Sequence, residues 1–219
     1  SAIGDFVAPN PSGIIVGCSC AAIVWAAYQY KIIAETSLDD LVNESSNVVS
    51  QERSALKDGV TTNARQLELL REVYEAVREG ARSFLHAEYK ICLQFIVGFS
   101  ALIFGLIGWG QGISEGILTM VAFILGAVTS MVCGYIGMYV AVFSNARTTI
   151  NCVKGGYKDG FNTAFRAGAV MGFALTGLGI LVMYITMCGY RVMYDKDSWT
   201  TMFDCLSGYG LGGSSIAMF

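Results

Sequence analysis

Between Glu115 and Arg147 the chain carries no Asp, Glu, Lys, Arg or His. Arg147 then closes the run inside the polar string NARTT. A helix needs about 20 predominantly apolar residues to cross a hydrocarbon core roughly 30 Å thick, and this run exceeds that. It is predicted to cross a bilayer, with the abrupt cation marking its return to water at a polar turn. Small residues recur along it: Gly126 and Ser130 lie four apart, and Gly134 and Gly137 follow. Lipid gives helices no hydrophobic reason to associate, so small residues that let backbones approach are what hold them together. That spacing predicts packing and, by itself, no chemistry.

The rest of the chain repeats the pattern. It is 54% hydrophobic and 14% charged, where soluble domains carry about 25% charged residues, and four separate runs reach spanning length. The expected fold is all-α: a polytopic helical membrane protein, one transmembrane domain over residues 1–219. Spans are expected at about 13–33, 91–109, 117–144 and 161–190, with an incomplete fifth at 199–219 and a cytoplasmic loop over 34–90. The partner implied is the lipid bilayer; nucleic acid is not expected.

Chemistry-bearing constellations are scarce. Cys18, Cys20, Cys92, Cys133, Cys152 and Cys188 sit in or beside apolar runs and read as small buried apolar groups. Cys205 alone has a mixed polar context. Cys18 and Cys20 form C-x-C without a second pair at ligand spacing, so neither a metal site nor a required disulfide is expected. His86 is the single histidine, which excludes a His-based triad or zinc set. No residue is assigned a catalytic, cofactor-binding or metal role.

In chain order, residues 1–12 are short and polar, with no basic segment before the first apolar run and so no cleaved signal peptide expected. Trp25, Tyr28, Tyr30 and Lys31 cluster at the far end of the first span as an interfacial belt. From Ala34 to Ala87 acids (Asp39, Asp40, Glu44, Glu52, Asp58, Glu68, Glu72, Glu75, Glu79) alternate with bases (Arg53, Lys57, Arg65, Arg71, Arg78, Arg82). Its Ser- and Asn-rich first part reads as mobile. Its second part spaces Leu67, Leu70, Val73, Tyr74, Val77, Ala81, Phe84 and Leu85 as an amphipathic helix running into the second span, with Glu68–Arg71 and Glu75–Arg78 placed to pair. The string GQGISEG joins the second and third spans. A loop over Asn145–Asp159 follows the third. Arg166, in the first turns of the fourth span, reads as an anchor reaching back to the headgroups.

Charge then orients the chain. Lys31 to Lys90 supplies eight cations and Asn145 to Arg166 four, against two, Arg191 and Lys196, on the other side. By the positive-inside rule the amino terminus is non-cytoplasmic. The last segment, DCLSGYGLGGSSIAMF, is dense in glycine and reads as a helix packed on all sides. It stops before completing a crossing, which suggests a fragment.

Taken together and in order, GAVTSMVCGYIGMYVAVFSNARTT, REGARSFLHAEYK, FRAGAVMGF and GYGLGGSSIAMF resemble the third helix and its following loop, the approach to the second helix, the fourth helix and the start of the fifth of membrane-bound, ion-translocating pyrophosphatases. The resemblance covers most of the chain from Ala81 onward. Cys133, Tyr139, Ala167 and the string NCVKGG depart from the usual family residues.

The resemblance implies a homodimer of many-helix subunits that hydrolyse magnesium pyrophosphate at a cytoplasmic site and move protons, or sodium in some members, in acidic-compartment membranes such as the vacuolar one. Aspartates holding Mg2+ around pyrophosphate supply what phosphoryl transfer requires. Those residues, and the family's gating arginine, are expected beyond Phe219; Arg166 matches none of them. The alternative reading is a non-catalytic accessory or structural membrane subunit derived from that family.

Overall fold

The computed structural model describes residues 11–35, 59–194 and 199–218, with side chains described outside 59–68 and 153–155. Among the described residues every regular element is helical. Helix α1 is Pro11–Ala34 and α2 is Gly59–Gly110. The helical stretch Ile113–Met193 is broken at Gly156, giving α3 (Ile113–Cys152) and α4 (Gly156–Met193). Helix α5 is Trp199–Ile216. Helices α1 to α4 are long and apolar enough to cross a membrane, and the chain is an all-α, multi-pass integral membrane protein.

The helices overrun the expected spans. At 1.5 Å per residue, α2 is about 78 Å long, far more than a bilayer needs, and the amphipathic stretch continues into the membrane run without a break. The surface pair Glu75–Arg78 forms at 3.9 Å. The Ser- and Asn-rich segment over 36–58 and the acidic and basic residues on it lie outside the described residues, as do the side chains of Arg65, Glu68 and Lys154 and the polar loop 195–198.

Two loop expectations are corrected. The loop over Asn145–Asp159 is helical except around Gly156, and NARTT is not a turn at all. The hydroxyls of that string, and of Ser144 just before it, bond to their own helix: Ser144 Oγ donates to the Ala141 carbonyl, Thr148 Oγ1 to that of Ser144 and Thr149 Oγ1 to that of Asn145. Hydroxyls satisfied this way need no water, so they do not end a helix. Likewise GQGISEG contributes only Gln111 and Gly112 to the connection. Gly112 takes φ 135°, where a side chain would be strained, and α3 begins at the next residue.

The described helices gather into two compact units. The first holds the start of α1, the membrane part of α2 from Leu85, α3 to Gly137, α4 from Gly172, and α5. Here α2 and α3 form an antiparallel hairpin so tight that a Cβ on Gly116 would stand 2.9 Å from the Gly108 Cα. The core is apolar: Cys92, Ile96 and Ile103 of α2 meet Phe123 and Ala127 of α3 and Ile216 of α5, with the Phe99 and Phe123 rings 5.3 Å apart. Helix α5 lies parallel to α3 along a glycine seam, Gly208 opposite Thr119, Gly212 opposite Phe123 and Ala127, and Gly126 opposite Tyr209 and Gly213. This is the close approach expected of Gly126. Helix α1 runs antiparallel to α4, its Ser19 carbonyl 3.0 Å from where a Gly177 Cβ would be and Trp25 edge-on to Phe173 at 4.6 Å.

The second unit holds the end of α1, the start of α2, and Met138–Met171. Its centre is the α3–α4 hairpin. Gly156 sits at φ 71°, ψ −164°, a region essentially reserved for glycine. Asn151 Nδ2 donates to Thr163 Oγ1 at 2.7 Å across the turn.

The cysteine expectation also needs revision. Cys92 and Cys205 are buried, Cys205 to 1% exposure despite its polar neighbourhood, whereas Cys18, Cys20 and Cys152 are exposed. Helix α1 buries only a narrow stripe, Ser19, Ala26 and Ile33, and both of its thiols lie off it.

Candidate functional site

The residue that departs furthest from the sequence reading is Arg147. Expected to mark emergence into water, it is 8% exposed. It belongs to a stripe, Val140, Ser144, Arg147 and Ile150, that is buried at three- and four-residue spacing. Its Nη1 donates to the Phe143 carbonyl at 2.8 Å, and its Cζ lies 3.5 Å from the centroid of the Phe143 ring. Its Nε has no acceptor. The signal in the sequence is the helical period that runs through NARTT to Ile150, masked by polar residues of the kind that often end a helix.

Helix α1 closes the other side of this cluster. The Tyr30 ring lies 5.0 Å from that of Phe143, and its hydroxyl bonds to that of Tyr139. One residue earlier, Gln29 Oε1 accepts from Arg166 Nη1 at 3.1 Å. Arg166 is half-buried and held by a neutral amide. His86 and Lys31 are exposed.

A second polar group occupies the first unit. The Tyr190 hydroxyl donates to the Leu118 carbonyl at 2.5 Å, and the Tyr194 hydroxyl and Cys205 thiol lie 3.4 Å apart. Cys205 in turn donates to the Glu115 carbonyl at 3.7 Å. Burial, and then the bond to Cys205, push the Tyr194 phenol well above its ordinary value. Glu115 stands in the first turn of α3, where the helix dipole favours an anion. Arg191 lies 5.9 Å from the Trp199 ring.

Among the described residues no three His, Cys, Asp or Glu side chains converge. A model of the inorganic H+ pyrophosphatase family matches residues 20–219. The chain belongs to that family.

Individual relatives agree. The chain is 33% identical over 150 residues to a K(+)-insensitive pyrophosphate-energized proton pump of Methanosarcina mazei, covering 68% of this chain and 20% of that protein. It is 30% identical over 165 residues to pyrophosphate-energized membrane proton pump 3 of Arabidopsis thaliana, with the same two coverages. It is also 36% identical over 152 residues to a protein of Clostridium tetani provisionally named a K(+)-stimulated pyrophosphate-energized sodium pump, covering 69% of this chain and 20% of that one. The chain spans about a fifth of the length of these relatives.

Proposed function

We infer that the chain is the amino-terminal part of a membrane pyrophosphatase that couples hydrolysis of magnesium pyrophosphate to proton translocation. The observation that carries this reading is the family match running through residues 20–219, supported by relatives named as pyrophosphate-energized proton pumps. Hydrolysis needs carboxylates and metal ions arranged around the phosphates. In this reading, as the family resemblance implies, the residues that hold magnesium and pyrophosphate lie in polypeptide beyond Phe219. The part in hand supplies scaffold: α1 to α4 as membrane helices and α5 fitted into α3 along the glycine seam. The whole protein is a homodimer in this reading, with its amino terminus on the non-cytoplasmic side and its place in an acidic compartment such as the vacuole.

The test begins with the mass of the native subunit. A mass several times the 23.5 kDa of this sequence is expected, together with pyrophosphate- and magnesium-dependent acidification of vesicles carrying the protein. A native mass near 23.5 kDa, or vesicles that pyrophosphate does not acidify, overturns the reading. The first outcome leaves a family-derived accessory subunit; the second, if sodium accumulates instead, a sodium pump.

A further inference from the structure

Helix α2 sets the depth of the bilayer by itself. Ile91–Gly110 carries no Asp, Glu, Lys, Arg or His and is about 30 Å long at 1.5 Å per residue, the thickness of a hydrocarbon core. Exposed Lys90 and exposed Trp109 stand at its two ends, as a cation and an indole do at membrane surfaces. Helix α3 has no such limit of its own, because its uncharged run from Gly116 to Ala146 is about 46 Å long. Contacts with α2 decide which part of that run meets lipid. Gly116 is pressed against Gly108, and the Phe99 and Phe123 rings are 5.3 Å apart. The Tyr89 hydroxyl donates to the Met131 carbonyl and lies 3.5 Å from where a Gly134 Cβ would be. Lys90 is thus level with the turn Met131–Tyr135. The exposed stripe of α3 changes character there: Ile117, Val121, Leu125, Val128 and Val132 give way to Tyr135 and Tyr139, then to Asn145 and Thr149. On α4, the Tyr190 hydroxyl donates to the Leu118 carbonyl, so Arg191 marks the same surface as Trp109. About 30 Å back along α4 from Arg191 lies Gly172, next to Phe173, whose ring meets Trp25 of the aromatic cluster on α1.

We propose that the hydrocarbon layer ends at Lys90 of α2, about Tyr135 of α3 and about Gly172 of α4, and that α3 and α4 each carry on past it into the aqueous phase. The surface that meets lipid on α3 is the aliphatic stripe from Ile117 to Val132, and Tyr135 and Tyr139 occupy the headgroup layer, where amphipathic rings are favoured. Arg147 then stands about 18 Å beyond the hydrocarbon along α3, and Arg166 about 9 Å beyond it along α4. Neither arginine faces acyl chains, where a charge is costly. Absence of charge alone carries the spans to 144 and back to 161; on this placement they end about 13 Å and 16 Å sooner. The proposal requires only that these helices cross a membrane and is independent of pyrophosphate hydrolysis.

The experiment uses the intact native protein in bilayer nanodiscs, labelled in parallel by hydroxyl radicals from water and by a phospholipid with a photoreactive acyl chain, and mapped by peptide mass spectrometry. Phe161 and Phe165 are more than half exposed, and they separate the two placements. Both are expected to be oxidised from water, as the exposed Tyr157 is, and to escape the lipid label. Phe104 and Met183, exposed within the proposed hydrocarbon layer, are expected to do the reverse. On α3 the lipid label should be lost past Tyr135. Lipid labelling of Phe161 and Phe165 at the level of Met183 overturns the proposal and restores the longer spans. Protection of both rings from radicals overturns it equally, since they would then not stand in water. Lipid label that continues along α3 to Phe143 does the same for that helix.

Discussion

Substituting Gly212 by alanine tests whether α5 is held to α3 by backbone contact. A Cβ at that position would stand 2.9 Å from the Ala127 nitrogen and the Phe123 carbonyl carbon, and nearer still to the Phe123 carbonyl oxygen. All of these are backbone atoms, so no flexible side chain can swing away. To regain ordinary contact α5 must retreat by roughly 1 Å, and a gap of that size forfeits a quarter to a half of the dispersion attraction across it. The loss falls on the buried face of α5, which carries Met202, Cys205, Leu206 and Ile216 as well as Gly208 and Gly212. Overpacking of a rigid site costs about 1–3 kcal/mol, and with every clash on backbone the upper part of that range applies. Gly210 is the control. It lies two residues away on the exposed side, with nothing within 4 Å of its would-be Cβ, and alanine there gains helix propensity of up to about 1 kcal/mol. Unfolding of the intact protein in detergent, followed against increasing denaturant, should show Gly212→Ala destabilised and Gly210→Ala unchanged or stabilised. Equal behaviour of the two variants refutes the seam.

Two further outcomes follow from local geometry. Gly156→Ala forces a side chain into a backbone region that only glycine occupies comfortably, at a cost of about 1–3 kcal/mol; the same denaturant assay should detect it, and wild-type stability would show that the α3–α4 turn relaxes freely. Tyr194, just past the end of α4, has its phenol raised above the ordinary 10.0 by burial and by Cys205. A group whose folded pKa is raised contributes stability that is intact below the unfolded value and lost as pH climbs towards the folded one. The protein should therefore lose stability above about pH 10, and Tyr194→Phe should lose less over that window; identical pH profiles would contradict the burial argument.

The sequence by itself determined the class of protein. Runs of spanning length free of charge have one physical solution, helices that satisfy their own backbone within lipid, and the ordered strings from Arg78 to Phe219 pointed to the family that the comparison then showed. The unbroken α2 was legible from periodicity, because the face of Leu70, Tyr74, Ala81 and Leu85 continues at the same spacing through Cys92 and Ile96 into the apolar run. What the tertiary structure decided were the points where a polar residue has two physically sound fates. Thr148, Thr149 and Arg147 read as an exit into water, yet each finds an acceptor on its own helix one turn back, so α3 runs on to Cys152. Whether Arg147 faces solvent or the interior depends on α1 lying across Phe143, a contact over a hundred residues distant in sequence. The same holds for the glycines: spacing marks Gly126 and Gly212 as capable of close approach, but only the position of the neighbouring helix shows that Gly212 is pressed against backbone while Gly210 meets nothing.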